Sequence, residues 1–180
     1  MNPQALIEYI KKHNQPFLMV VIEGLCGSGK TTLATMIQQA CGGMIIHMDD
    51  FCLPKNQRRN EIAGHIDFKR FQEEVIIPLQ KHQNLFYHRF DCHKQEYVAI
   101  QQEFQPLIII EGSYSMHPCL GIYYDISCFV TLDEKQRIQY LKEREQDHFD
   151  SFMNIWEQKE RVYHQAYDIL SKCDVMIKIQ

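Results

Sequence analysis

With 180 residues, 45% of them hydrophobic, the chain is long enough for one domain with a sizeable core and leaves little room for a second. Its 19 basic and 23 acidic residues give a net charge of −4, which argues against a general polyanion binder and makes nucleic acid an unexpected partner. The 7 cysteines include no CxxC spacing and are odd in number, so reduced thiols are expected in place of a zinc site or a disulfide framework.

Residues 3–13 read as a short helix with Leu6, Ile7 and Ile10 on one face. Charge runs through this segment, so it does not read as a secretory leader. No apolar run approaches the length needed to span a bilayer, and a cytoplasmic location is the expectation. Phe17 to Ile22 is a continuous apolar run rich in β-branched residues, as a parallel strand buried on both faces requires. Helix is expected over 30–41 and a short strand over 44–48. A further helix over 67–77 is expected to stop at Pro78. A small hairpin is read over 85–90 and 96–101, and strands over 107–110 and 126–132. Two helices, about 133–147 and 151–171, flank a polar turn, and a last strand covers 175–179. Strands alternating with helices make the fold class α/β, with a mainly parallel sheet in a single domain over 1–180.

Residues 24–31 read Gly-Leu-Cys-Gly-Ser-Gly-Lys-Thr and fit G-x-x-x-x-G-K-[ST] without a mismatch. Glycines let such a loop wrap until its backbone N–H groups converge on phosphate oxygens, and the helix that follows points its positive end at the same place. The expected P-loop ligands are Gly24, Cys26, Gly27, Ser28, Gly29, Lys30, Thr31 and Thr32, with ATP as the ligand. Lys30 would reach the β- and γ-phosphates and Thr31 would help hold Mg²⁺. A P-loop also needs an acid at a neighbouring strand end. Glu111, which closes the run Leu107-Ile-Ile-Ile, is the second expected metal ligand. The strand over 44–48 ends in Asp49-Asp50-Phe51. One of these aspartates could take the proton of an attacking hydroxyl while the other caps a turn.

The segments GLCGSGKTTLA (24–34), MDDFCLP (48–54), HIDFKRFQEEVIIPL (65–79), FYHRFDC (86–92), IIIEGSYSM (108–116) and TLDEKQRIQYLKERE (131–145) together resemble the uridine kinase-like branch of the P-loop kinases. That resemblance implies a five-stranded parallel sheet of order 2-3-1-4-5 with helices on both faces, plus the hairpin and a short lid near 144–152. It implies Asp49 as general base, with Asp50 and Phe51 beside the acceptor. It places Asp67 on acceptor hydroxyls, and Arg137 and Arg144 on ATP phosphates, Arg144 with a role in catalysis. Arg89 and His93 lie in or beside the hairpin, where they could contact the acceptor. Three positions depart from the uridine–cytidine kinase pattern: Cys52 and Phe90 each stand where a Tyr is usual, and His93 lies closer to its segment than the base-reading His does. The acceptor is left open between a nucleoside and another alcohol, and the oligomeric state is left open too.

The basic loop Lys55, Arg58 and Arg59 reads as a solvated loop in preference to an anion clamp. Trp156, Glu160 and Tyr163 fall on one helix face. The expected activity is transfer of the γ-phosphate of ATP to a small metabolite. The alternatives are a regulatory ATPase or GTPase and a kinase-like module without a small acceptor; no N-K-x-D segment supports a GTPase.

Overall fold

The computed structural model describes residues 1–13, 15–92 and 94–179; Asn14, His93 and Gln180 lie outside the described residues. Five strands form one parallel sheet: β1 (Leu18–Glu23), β2 (Met44–His47), β5 (Leu107–Glu111), β6 (Ile126–Thr131) and β7 (Val175–Lys178), in the order β2-β5-β1-β6-β7. Counting these five strands alone, that order is the expected 2-3-1-4-5. Two further strands, β3 (Leu85–Asp91) and β4 (Glu96–Gln102), pair as a separate antiparallel hairpin.

The unbroken apolar strands follow from burial on both faces. Leu18, Val20 and Ile22 of β1, with Ile109 and Val130, face a core filled by α1 (Pro3–Lys11) and α2 (Lys30–Cys41) through Leu6, Ile10, Leu33 and Ile37. Met19 and Val21, with Ile46, Ile108 and Ile110, face the opposite core, which holds Phe51, Phe71, Val75, Tyr87 and Tyr163. Each such fully buried aliphatic side chain contributes about 1.5–3 kcal/mol relative to exposure. Among the described residues, no helix is long and apolar enough to cross a membrane.

Several boundaries differ from the sequence expectation. The strand expected over 44–48 stops at His47, and Met48–Phe51 form a 3-10 turn, so Asp49 and Asp50 sit in that turn instead of at an alternating strand end. Pro78 does not stop its helix, α3 (68–80). The turn before it widens to a π-type segment, Gln72–Ile76, in which the N–H of Ile77 bonds to the carbonyl of Gln72. A π-bulge breaks the regular i→i−4 ladder, so a proline missing its N–H can be carried there. Helix α4 (Glu134–Glu145) is N-capped by Asp133, whose side chain accepts from the N–H groups of Lys135 and Gln136. Gln146, at φ 47°, breaks it from α5 (149–167). Asp168, at φ 49°, separates α5 from α6 (Ile169–Lys172).

Candidate active site

The carboxyl ends of β1, β2 and β5 bring three loops together. Gly24 opens the first, at φ 145°; a Cβ there would lie 2.5 Å from the carbonyl oxygen of Val130, so only glycine fits. The Lys30 ammonium folds across the loop, donating to the carbonyls of Gly24 (2.8 Å) and Leu25 (3.1 Å) and approaching the hydroxyl of Ser113 (3.4 Å). Among the described residues, no protein acceptor takes the backbone N–H of Gly27, Gly29, Lys30, Thr31 or Thr32. The Ser28 hydroxyl is buried without a hydrogen-bond partner. A nest of unpaired donors at the start of a 12-residue helix fits a bound polyphosphate.

Glu111 ends β5 and is 5% exposed. Gly112 follows at φ 133°, and a Cβ there would lie 2.8 Å from the Cβ of Met48. This close approach sets the Asp49 turn against the Glu111 strand end. One Glu111 oxygen accepts from the Thr31 hydroxyl (3.1 Å) and contacts Nδ1 of His47 (2.6 Å). The bond to Glu111 holds the His47 imidazole above its ordinary pKa, against the opposing effect of burial. Among the described residues, no group of three or more His, Cys, Asp or Glu side chains could cage a metal. The Thr31–Glu111 pair still fits Mg²⁺, which usually takes one or two carboxylates and leaves its other positions to water and phosphate.

Asp49 and Asp50 both line the cleft. Asp49 is exposed to solvent, with protein crowding part of its surroundings. That crowding raises its pKa; Lys30 opposes the shift, while Glu111 and Glu160 reinforce it. Burial also raises Asp50, partly offset by the hydrogen bond that the Tyr87 hydroxyl donates to it at 3.1 Å.

The cleft has a volume of about 960 Å³. It is lined by residues 26–32 with Leu132, Tyr140, Arg144 and Ile179, and by the two aspartates, Cys52, Lys55, Arg58, His65, Arg89, Asp91, Tyr114 and Trp156. Burial lowers the pKa of His65 to about 4, with the charges of Lys159 and Arg58 adding to the effect, so the ring is neutral near pH 7. Its edge packs on Tyr114 (4.9 Å) and Trp156 (5.0 Å).

Four expected site residues lie elsewhere or are otherwise engaged. Phe51 is fully buried, packed on Phe71 (5.0 Å) and Tyr87 (5.4 Å), because the 3-10 turn sends it into the core. Asp67 does not line the cleft. It caps α3 by accepting from the N–H of Arg70 at 3.1 Å and pairs with the Arg70 guanidinium at 3.3 Å. Arg137 is 2% exposed and points behind the phosphate loop. It donates to the carbonyl of Cys26 (2.9 Å), to both oxygens of Glu157 (2.8 and 3.1 Å) and to Glu134 (3.0 Å). In this arrangement it braces the loop and is not free to meet a phosphate. Arg144 lines the cleft, paired with Glu145 at 2.7 Å and lying over Phe152. Arg89 also lines the cleft, and His93 lies outside the described residues.

Two buried carboxylates, Glu160 and Glu23, support the phosphate loop. Glu160 accepts from the N–H of Cys26 (2.6 Å) and the hydroxyl of Ser113 (2.8 Å), tying α5 to the phosphate loop. Glu23, fully buried just before the loop, accepts from the Tyr163 hydroxyl (2.8 Å) and the N–H of Met116 (3.0 Å). Trp156, Glu160 and Tyr163 share the helix face that their spacing indicates; Trp156 and Glu160 line the cleft, and Tyr163 is buried in the core. Ser113 and Tyr114 had one available signal: they follow a strand end in a parallel sheet, where ligands gather.

No family model matches the chain. Uridine-cytidine kinase D of Dictyostelium discoideum is 28% identical over 123 residues, covering 67% of this chain and 25% of that protein, so the chain spans about a quarter of this curated relative's length. A solved structure named as a possible uridine kinase from Bacillus stearothermophilus superposes with a TM-score of 0.77 at 20% identity, covering 97% of this chain and 96% of that one. Another, named as a candidate fructose transport system kinase from Silicibacter sp. TM1040, has a TM-score of 0.66 at 22% identity and covers 98% of each chain. The chain has the fold of these kinases, and in sequence it resembles the uridine kinase-like branch of the P-loop kinases.

Proposed function

We propose that the chain is an ATP-dependent kinase that transfers the γ-phosphate to a hydroxyl of a small metabolite. The observation that carries this reading is convergence: the unpaired N–H groups of the loop, the Thr31–Glu111 pair and Asp49 all face one cleft, which has room beyond them for an acceptor. ATP would supply the phosphoryl group, and Mg²⁺ held by Thr31 and Glu111 would neutralise charge on its oxygens.

The remaining chemistry belongs to the chain. Lys30 leaves the carbonyls of Gly24 and Leu25 for the phosphate, where charge builds during transfer. Asp49 accepts the acceptor's proton as the hydroxyl oxygen bonds to phosphorus and the bond to the departing ADP breaks. Arg144, on the cleft wall, is placed to add positive charge once it releases Glu145. The net charge of −4 favours a small-molecule acceptor over nucleic acid.

The test is ADP release with and without a panel of nucleosides and other alcohols. Release that depends on the acceptor supports the kinase. Steady release without an acceptor supports the ATPase reading in its place.

A further inference from the structure

Resting on the kinase reading, we infer that the acceptor carries an anionic group, a carboxylate or a phosphate, held by Arg58 and Arg89 against the wall formed by Trp156. Besides Lys30 and Arg144, the cleft is lined by three cations, Lys55, Arg58 and Arg89, and Asp49, Asp50 and Asp91 lie on the same lining. Four other arginines carry ion pairs. Arg137 holds Glu134 and Glu157, Arg70 holds Asp67, Arg144 holds Glu145, and Arg59 pairs with Glu61 at 2.8 Å.

The three cleft cations have no such partner. Among the described residues, no carboxylate lies within ion-pair distance of Lys55, Arg58 or Arg89. Arg58 is also held in place. Its Nε donates to the carbonyl of Leu53 at 3.1 Å, and its guanidinium lies 5.3 Å from the centre of the Trp156 ring. One edge of a half-buried guanidinium is thus fixed, and its remaining N–H groups are left for a ligand. A planar fork of this kind suits the paired oxygens of a carboxylate or phosphate. Arg89 stands on β3 across the turn from Asp50, whose charge it attracts without forming a pair. The cleft lining also carries carboxylates, but among the described residues neither Arg58 nor Arg89 forms an ion pair with one, so an incoming anion could take both guanidiniums.

Asp49 and Asp50 share this cleft; Arg89 offsets the charge of Asp50, and a charged group held by Arg58 and Arg89 leaves the hydroxyl to meet Asp49. The His65 and Trp156 rings, packed edge-on at 5.0 Å, give the same cleft an apolar stretch of wall.

The test is binding to the whole chain with the phosphate loop filled by a non-hydrolysable ATP analogue and Mg²⁺. Two matched pairs separate the two anions: lactate against propane-1,2-diol, and ribose 5-phosphate against ribose. The anionic member of at least one pair is expected to bind about 10-fold or more tightly than its neutral partner, the scale of one charge-assisted hydrogen bond. That advantage should vanish in the Arg58→Gln, Arg89→Gln double variant, while affinity for the ATP analogue stays within about 2-fold, as expected for sites that do not share partners. No preference in either pair, including no binding of either member, overturns the inference, as does an unchanged preference in the double variant. Failure of the ATP analogue itself to bind would instead overturn the kinase reading.

Discussion

Asp49 and Asp50 are neighbours in one 3-10 turn, and their surroundings divide the roles between them. Asp50 is committed to the Tyr87 hydroxyl, whereas Asp49 faces Lys30 and the Glu111 strand end. Asp49→Asn keeps the size of the side chain and loses its basicity. Turnover should fall by about 10²–10⁴-fold with ATP affinity nearly unchanged. Asp50→Asn keeps an acceptor for Tyr87 and should cost less. Steady-state kinetics on both variants check this, and a wild-type rate in Asp49→Asn would remove it from proton transfer. His65 provides a second test at this scale. Its folded pKa of about 4 lies below that of an unfolded histidine, so only the unfolded chain gains a proton as pH falls from about 6.5 to about 4. Stability from this residue is complete above that window and is lost as pH falls through it, with a slope of at most about 1.4 kcal/mol per pH unit. Chemical denaturation between pH 7 and pH 4.5 should show a shallower loss in His65→Phe than in the parent chain.

The phosphate loop depends on helices that lie far from it in sequence. Arg137 on α4 bonds to the carbonyl of Cys26 and to the buried Glu157, while Glu160 on α5 accepts from the N–H of Cys26. Arg137→Met would leave Glu157 with Arg161 alone. Stability should fall by about 3 kcal/mol, the lower end for breaking a buried pair, since one cation remains. Urea denaturation measures this directly, and a loss below about 0.5 kcal/mol would mark Arg137 as an ordinary surface-type pair. These ties also show where sequence reading stops. The helix over Lys30–Cys41 was legible because the glycine loop starts it and its apolar positions repeat at helical spacing. The run of α3 through Pro78 was not, because a π-type turn leaves no mark on apolar periodicity. The assignment of Arg137 to phosphate came from its place on the lid-side helix. Its burial depends on Glu157, 20 positions away, which no local pattern reveals.

Across the whole molecule, the parallel sheet places the ends of β1, β2 and β5 side by side, and this turns three separate motifs into one cleft. The sheet was legible because its central strands β1 and β5 are apolar runs, and its order because the series of motifs resembles that of the uridine kinase-like branch. The loop and the acid at position 111 were legible because each follows such a run. The wall carrying Arg58, His65, Tyr114 and Trp156 was not, since these residues come from three separate segments that only the fold assembles. Everything in this account depends on a nucleotide seated on residues 24–31. Calorimetric titration of ATP with Mg²⁺ into the parent chain and into Lys30→Ala tests that directly. The parent should bind one equivalent, and removal of a charge-assisted contact worth about 1.5–3 kcal/mol should weaken the variant at least about 10-fold. Equal affinities in the two proteins, or no binding to the parent, would contradict the account.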